Sequence, residues 1–426
     1  MRVAISKGRA VGKITAPPSK SMAHRLLICA GLSNGVSRIR GISDCEDVRA
    51  TIDCLSALGV VCERIGNDVT VYGKVPADMS VNSQLFCRES GSTIRFFIPI
   101  ALLLGKVTNF VGAKSLMARP FGIYRDICDK FGYQFEQSEN GISVCGRLTG
   151  GIYELPGNVS SQFISGLLFA LPSAEGDSEI RITKPIESLS YINMTLSALE
   201  SFGVYADFNE NSGIIRIAGG QKYKPQDIAV EGDYSGAAFT SAFNYLGGSV
   251  RVDGLKEESL QGDAIYRDYF KQIEEGTPTI DIGNCPDLAP ILFALSAAKN
   301  GAHFIGTRRL KIKESDRALT MQSELKKLGA DIEVLENEVT VKGGGITAPS
   351  EALFGHNDHR IVMSLALLLT LFGGVIDGAE AVRKSYPGFF EEIQIHKNKS
   401  AVHAGRNSMN MPGAGSIRRI ENSWGI

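Results

Sequence analysis

The sequence predicts an α/β (α+β) protein of two domains, each made of three βαβαββ units, and three observations lead there. A turn of small or charged residues, an all-apolar helix pattern, a glycine and a β-rich stretch recur six times along the chain. The chain has 426 residues, more than one hydrophobic core ordinarily supports, so six units divide most simply as three and three. Four copies also carry a second helix pattern that stops at a glycine and runs into a hairpin pattern.

In chain order, "RVAISKG" is a strand that precedes the first unit and could pair in either domain. The six copies then open at "PPSKSMAHR", "RESGSTIR", "PGNVSSQF", "EGDYSGAAF", "CPDLAP" and "GHNDHR". Each opening leads into a helix that is apolar or small on every side, which predicts burial all round. The second helices, as in "EDVRATIDCLSALG", "RPFGIYRDICDKFG", "YINMTLSALESFG" and "ESDRALTMQSELKKLG", are amphipathic with apolar residues at i, i+3, i+4 and i+7. Polar "GGQKYKPQDIAVEGD", between the third and fourth copies, is the expected crossover. The expected domains are 1–18 with 226–398, and 19–225; residues 399–426 carry no periodicity and are expected to be a disordered tail.

Hydrophobic residues make up 43% and charged residues 21%, as in an ordinary globular protein. A formal net charge of −1 argues against a general nucleic-acid or acidic-membrane binder. Eight cysteines stand singly, with no CxxC pair, which suits free thiols in a reducing cytoplasm. "MRVAISKGRAVGKI" has no signal-peptide core, and the longest apolar run, "IVMSLALLLTLFGGVI", is short for a membrane span and broken by Ser, Thr and Gly. A cytoplasmic location is expected, with no membrane and no nucleic-acid partner.

Positive charge crowds the predicted helix starts. A helix N-terminus carries roughly +0.5 of a charge, so a cation there costs about 0.3 to 1 kcal/mol unless an anion joins it. Lys20 and Arg25 flank the first start, Arg119 precedes Pro120 at an expected first helical position, and Lys313 and Arg317 bracket "ESD". His359 and Arg360 open "IVMSLALLL", and Lys384 precedes "SYPGFFEEI", again with proline expected just inside. Gly91 lets backbone approach a ligand, with Arg95 one turn later, and Ser160, Ser161 and Gln162 offer uncharged donors. Any one of these could be a capped helix with a solvated cation. Together, on repeats, they predict a shared site for a small ligand with several negative charges.

Other chemistries fail on spacing. "GGSVRVDG" and "GRLTGG" are not GxxxxGK[ST], and no GxSxG or Ser-His-Asp order stands out. His356 and His359 in "HNDH" lack a third ligand nearby, so no metal site is expected. Asp287, at the mouth of a buried helix, is either an N-cap or a base; Glu314, beside Lys313, is either half of a surface ion pair or an acid–base group. Among so many cations, both carboxylates stay ionised, as a base requires.

At this point "PPSKSMAHR", "ESGSTIRF", "MARP", "VSSQF", "EGDYS", "PDLAP", "KIKESDR", "NDHR" and "KSYPGFF" resemble, in order and from residue 11 to about 395, the 5-enolpyruvylshikimate-3-phosphate synthase family. That resemblance implies the two-domain enolpyruvyl transferase fold, an inside-out α/β barrel with three βαβαββ units per domain about a pseudo-threefold axis and the active site in the cleft between domains. It implies transfer of the enolpyruvyl group of phosphoenolpyruvate to the 5-hydroxyl of shikimate-3-phosphate by addition and elimination, in chorismate and aromatic amino acid biosynthesis. Neither cofactor nor metal is implied, and a monomer with two small-molecule substrates is expected.

Residue by residue, the resemblance places Lys20, Ser21, Arg25, Ser160, Ser161, Gln162, Ser188, Asp287 and Lys313 on shikimate-3-phosphate. For Ser188 the match is loose, and Tyr191 aligns better. Lys20, Gly91, Arg119, Gln162, Arg317, Arg360 and Lys384 match the phosphoenolpyruvate pocket. Asp287 is implied as proton acceptor, with Glu314 or Lys20 as the donor to C3. Domain closure would then assemble the site and expel water. Glu89 and Ser92 depart from the Asn and Thr of some relatives, Arg309 from an Asn, and His24 has no assigned chemistry. The related UDP-N-acetylglucosamine enolpyruvyl transferases carry Lys-Asn at the Lys20-Ser21 position and a loop cysteine that "GAKSLMA" lacks. A small-anion binder without catalysis is the rival from another class, disfavoured by Asp287, Glu314 and the full arginine set.

Overall fold

All six apolar segments that follow the predicted openings are helical in a computed structural model of the chain, which describes residues 1–81, 84–396 and 418–420. Lys20–Leu32 buries every residue from Ala23 to Leu32, and His359–Phe372 every residue from His359 to Thr370. Gly91–Leu103, Ser161–Ala170, Tyr234–Ser241 and Ala289–Ala298 are as closely enclosed. Each large aliphatic side chain so buried contributes about 1.5–3 kcal/mol, which offsets the cost of fixing its backbone. No helix among the described residues is long and apolar enough to cross a membrane.

The second helices stop where the sequence placed their glycines. Gly59, Gly132, Gly203 and Gly329 have φ of +80°, +73°, +74° and +78°, a region that residues with a Cβ enter at a cost. Gly122–Phe131 shows the amphipathic pattern: Tyr124, Ile127 and Cys128 are buried, and its other residues face outward or lie at the margin. Gly166 serves packing instead. A Cβ there would lie 2.3 Å from the Arg95 carbonyl oxygen, so only glycine lets Ser161–Ala170 lie this close to Gly91–Leu103.

Six sheets follow one hydrogen-bonding order, a parallel pair and then antiparallel partners. Leu85–Phe86 runs parallel to Thr108–Val111, which pairs antiparallel with Gly141–Cys145, which in turn pairs with Gln134–Ser138. In this sheet the parallel pair comes from a strand–helix–strand crossover, and the last antiparallel pair from a hairpin.

The chain divides into two compact units. The first holds 1–17, 233–255 and 263–426, and the second holds 18–232 and 256–262, each around its own apolar core. Three sheets lie in each. The switch at Gly232/Asp233 falls later than the expected 225/226, because Asp227–Ala229 pairs parallel with Gly35–Arg40 and stays with the second unit. Residues 256–262 return to that unit, where Gln261 Nε2 donates to the Gly232 carbonyl at 2.8 Å. Arg2–Ile5 and Arg9–Thr15 both join the first unit, pairing with Gly374–Asp377 and Ser249–Asp253. Of the expected disordered tail, 418–420 forms a strand antiparallel to Arg2–Ile5, and the rest lies outside the described residues.

Candidate active site

In the first unit Asp287 occupies a single 3-10 turn, Pro286–Leu288, just ahead of Ala289–Ala298. It does not cap that helix: the cap position is Leu288, which makes no side-chain capping bond. Its carboxylate meets cations instead. Arg317 Nη1 donates to Oδ1 at 2.8 Å, Arg360 Nη2 to Oδ2 at 3.0 Å, and Lys313 Nζ lies 3.2 Å from Oδ1. Burial alone would raise the Asp287 acid, but Arg360, Lys313 and Arg317 outweigh it and hold the group well below the usual carboxylate range. The carboxylate is therefore ionised at neutral pH. Burial also lowers Lys313 to about 8, against the pull of Asp287 and with help from Arg317 and Arg309.

Arg317 opens the helix Arg317–Lys327, where its charge needs an anion. Two are present: Asp287, and Asp358, whose Oδ2 accepts from Arg317 Nε at 2.9 Å. Asp358 also caps His359–Phe372, taking the Arg360 backbone N–H at 3.0 Å. One carboxylate thus fixes both a helix start and a buried guanidinium. Glu314 is no surface ion pair; its Oε2 lies 3.1 Å from His359 Nδ1 and 3.7 Å from Lys384 Nζ. Ligand atoms of Glu314, Asp358 and His359 converge within 4.8 Å, yet Arg317 and Lys384 already supply positive charge to these carboxylates. The donor set therefore fits side-chain cations better than a metal ion.

Two predicted placements change. Pro120 lies outside the helix Gly122–Phe131, because the Arg119 N–H closes the preceding short helix by bonding to the Leu116 carbonyl at 3.1 Å. Lys384 ends a 3-10 helix, Ala379–Lys384, and the next helix starts only at Phe389, after Pro387. Proline disfavours helical geometry in the residue before it, so the chain turns there instead. Lys384 Nζ donates to the Asn357 carbonyl at 2.5 Å, which brings it to the His359 helix start from the side.

In the second unit Lys20 is the first residue of its helix and donates to Asp47 Oδ2 at 2.7 Å. Arg25, 2% exposed, spends Nε on Thr195 Oγ1 (2.9 Å), Nη1 on the Ser21 carbonyl (2.6 Å) and Nη2 on the Tyr191 carbonyl (3.0 Å). These are neutral acceptors, and burial lowers its proton affinity to about 10. Ser160 caps Ser161–Ala170 by accepting the Gln162 N–H at 3.3 Å, and Gln162 Oε1 accepts from Arg95 Nη1 at 2.6 Å. Gly91 opens its helix beside two guanidinia: a Cβ there would lie 2.6 Å from Arg119 Nη1 and 3.2 Å from Arg95 Nη1. Ser188 precedes Leu189–Ser201 with φ 57° and makes no capping bond, whereas Tyr191 touches Arg25 through its carbonyl and its ring.

Arg25, Arg95 and Arg119 have no carboxylate at ion-pair distance among the described residues, although Arg25 and Arg95 are buried. A bound anion would offset that charge. The sequence had not marked three further carboxylates. Asp47 sits in the first turn of Glu46–Ala57 and looked like an ordinary helix-start acid. Asp358 precedes His359 in "HNDH", and nothing near it in the sequence points to Arg317 as its partner. Asp263 is 4% exposed, and its Oδ1 accepts no hydrogen bond among the described residues; burial and then the charge of Asp287 push its acid up to about 7. The polar "LQGD" around it carries no local signal of burial.

Residues 5–393 match the family described as EPSP synthase (3-phosphoshikimate 1-carboxyvinyltransferase). The chain is 40% identical over 420 residues to the 3-phosphoshikimate 1-carboxyvinyltransferase of Clostridium kluyveri, covering 92% of this chain and 96% of that one. It is 36% identical over 414 residues to the protein of that name from Clostridioides difficile, covering 90% and 94%. Among solved structures it is similar to an EPSP synthase from Acinetobacter baumannii, with a TM-score of 0.74, 25% identity, and 92% and 97% of the two chains covered.

Proposed function

The chain belongs to the EPSP synthase family, and from that premise we propose that it moves the enolpyruvyl group of phosphoenolpyruvate to the 5-hydroxyl of shikimate-3-phosphate with the two constellations just described. The observation that carries this reading is Asp287, a carboxylate kept ionised by Arg317, Arg360 and Lys313. In the second unit Arg25, Ser21, Ser160, Ser161 and the Ser188–Tyr191 turn take the shikimate phosphate. Gly91, Arg119, Gln162, Arg317, Arg360 and Lys384 are the residues assigned to phosphoenolpyruvate, and Lys20 serves both substrates.

Asp287 accepts the proton of the 5-hydroxyl as that oxygen attacks C2 of phosphoenolpyruvate, and C3 takes a proton from Glu314, which becomes protonated when the substrate anions offset the cations beside it. The His359 ring beside Glu314 supports that assignment over Lys20, which already donates to Asp47. The tetrahedral adduct then returns a proton from C3 to the Glu314 carboxylate while the C2–O bond to phosphate breaks, giving the enol ether and inorganic phosphate. A carboxylate held so low is a weak base. The surrounding cations balance the phosphate and carboxylate charge throughout, so the scheme runs without metal or cofactor. Free thiols at all eight cysteines fit a reducing cytoplasm, and the protein is read as a monomer.

Phosphate release tests the reading. The protein incubated with phosphoenolpyruvate and shikimate-3-phosphate should release phosphate; with phosphoenolpyruvate and UDP-N-acetylglucosamine it should not. Silence with the first pair overturns the proposal.

A further inference from the structure

His24 is the titratable residue of "PPSKSMAHR" that the reaction leaves unused. Its ring, 1% exposed, closes a circuit of five hydrogen bonds inside the second unit. Nδ1 lies 2.7 Å from Thr51 Oγ1, which lies 2.9 Å from Thr93 Oγ1. Thr93 Oγ1 donates to Ser90 Oγ at 2.8 Å, Ser90 Oγ lies 3.3 Å from Ser92 Oγ, and Ser92 Oγ lies 3.3 Å from His24 Nε2.

The donors and acceptors balance in one sense of rotation. Thr93 spends its hydroxyl proton on Ser90, so Thr51 must donate to Thr93 and accept from His24 Nδ1–H. Nε2 is then the acceptor, filled by Ser92, and Ser90 donates to Ser92. Four hydroxyls and one N–H serve five bonds, which assigns the neutral Nδ1–H tautomer from the network. An imidazolium would present two donors and reverse part of the circuit. Burial, with Lys20 and Arg25 adding to it and Asp47 opposing it, lowers His24 to about 3, so the ring stays neutral.

The circuit joins three elements: His24 on Lys20–Leu32, Thr51 on Glu46–Ala57, and the turn Ser90 to Thr93 that starts Gly91–Leu103. Both chain neighbours of Gly91 are anchored in it. Beside Gly91 stand Arg119 and the buried Arg95, whose Nε has no partner among the described residues. We propose that His24 is a positioning residue: through Thr51 and Ser92 it fixes the turn around Gly91, and so the approach of that backbone to the anion gathered by Arg95 and Arg119. This rests on the reading that Gly91 lines the phosphoenolpyruvate pocket.

The decisive pair is Thr51→Val, which deletes the hydroxyl at nearly constant volume, and Thr51→Ser, which keeps it. Thr51→Val should raise KM for phosphoenolpyruvate about tenfold, with kcat and KM for shikimate-3-phosphate within about twofold of wild type, while Thr51→Ser stays at the wild-type values. His24→Leu should match Thr51→Val, and the double variant should be no worse than either, because both break one circuit. If His24→Leu does not fold, the Thr51 pair alone decides. An unchanged KM for phosphoenolpyruvate in Thr51→Val, with a raised KM in Gly91→Ala, overturns the role of His24 and leaves the pocket reading standing. An unchanged KM in Gly91→Ala removes the pocket reading and the His24 proposal together.

Discussion

Asp287 is held ionised and Lys313 is lowered toward neutrality, and each shift predicts a measurable effect. Asp287→Asn should keep substrate binding, since the three cations around it remain, and lose kcat by about 10²–10⁴-fold; steady-state rates and calorimetric binding of shikimate-3-phosphate check both halves. Lys313, lowered to about 8, should give kcat/KM a limb near pH 8 that vanishes in Lys313→Met. Asp263 predicts a stability effect. Its acid is raised from 3.8 to about 7, so between those values the folded chain holds a proton that the unfolded chain has lost, and stability falls as pH rises across that window. Asp263→Asn removes that loss and should raise Tm more at pH 8 than at pH 4. Lys313 and the arginines stood out because cations at helix starts break an ordinary rule of helix chemistry, Glu314 because it adjoins Lys313, and Asp287 through its place in "PDLAP". Asp47, Asp358 and Asp263 did not, because an acid near a helix start breaks none, and which cation it meets is decided by folding.

Among elements, the six buried helices and the four glycine stops could be read directly, since an all-apolar face and a left-handed turn each leave a local mark. The errors at Arg119 and Lys384 share a cause. The sequence pattern predicts proline as the first helical residue, whereas in both places a short preceding helix closes first and leaves proline in the linker. The close approach of Gly91–Leu103 and Ser161–Ala170 gives a test at this level. Gly166→Ala puts a Cβ against backbone, which cannot swing aside, and should cost about 1–3 kcal/mol in urea denaturation. It should also weaken phosphoenolpyruvate binding, because Arg95 and Gln162 meet across those same helices.

For the molecule as a whole, each unit has its own core, but only the second is nearly continuous in sequence. Pro18–Gly232 carries all three sheets of that unit and should fold when expressed alone, with a cooperative urea transition. Residues 233–426 alone should not, because two of the first unit's sheets need Arg2–Ile5 and Arg9–Thr15. The three-plus-three division was readable from repeats; the switch at Gly232 and the return of 256–262 were not, since both depend on pairings between distant residues.

Arg2 pairs with Asp377, so the first strand leaves the ribosome roughly 370 residues before its partner exists. At about 5–20 residues per second that is a wait on the order of 20 to 75 s. For all of that time the nascent chain carries an unclosed edge bearing Val3 and Ile5, while residues 18–232 can already have folded. The first unit should therefore be the last part to become resistant to proteases during synthesis, which timed proteolysis of nascent chains checks.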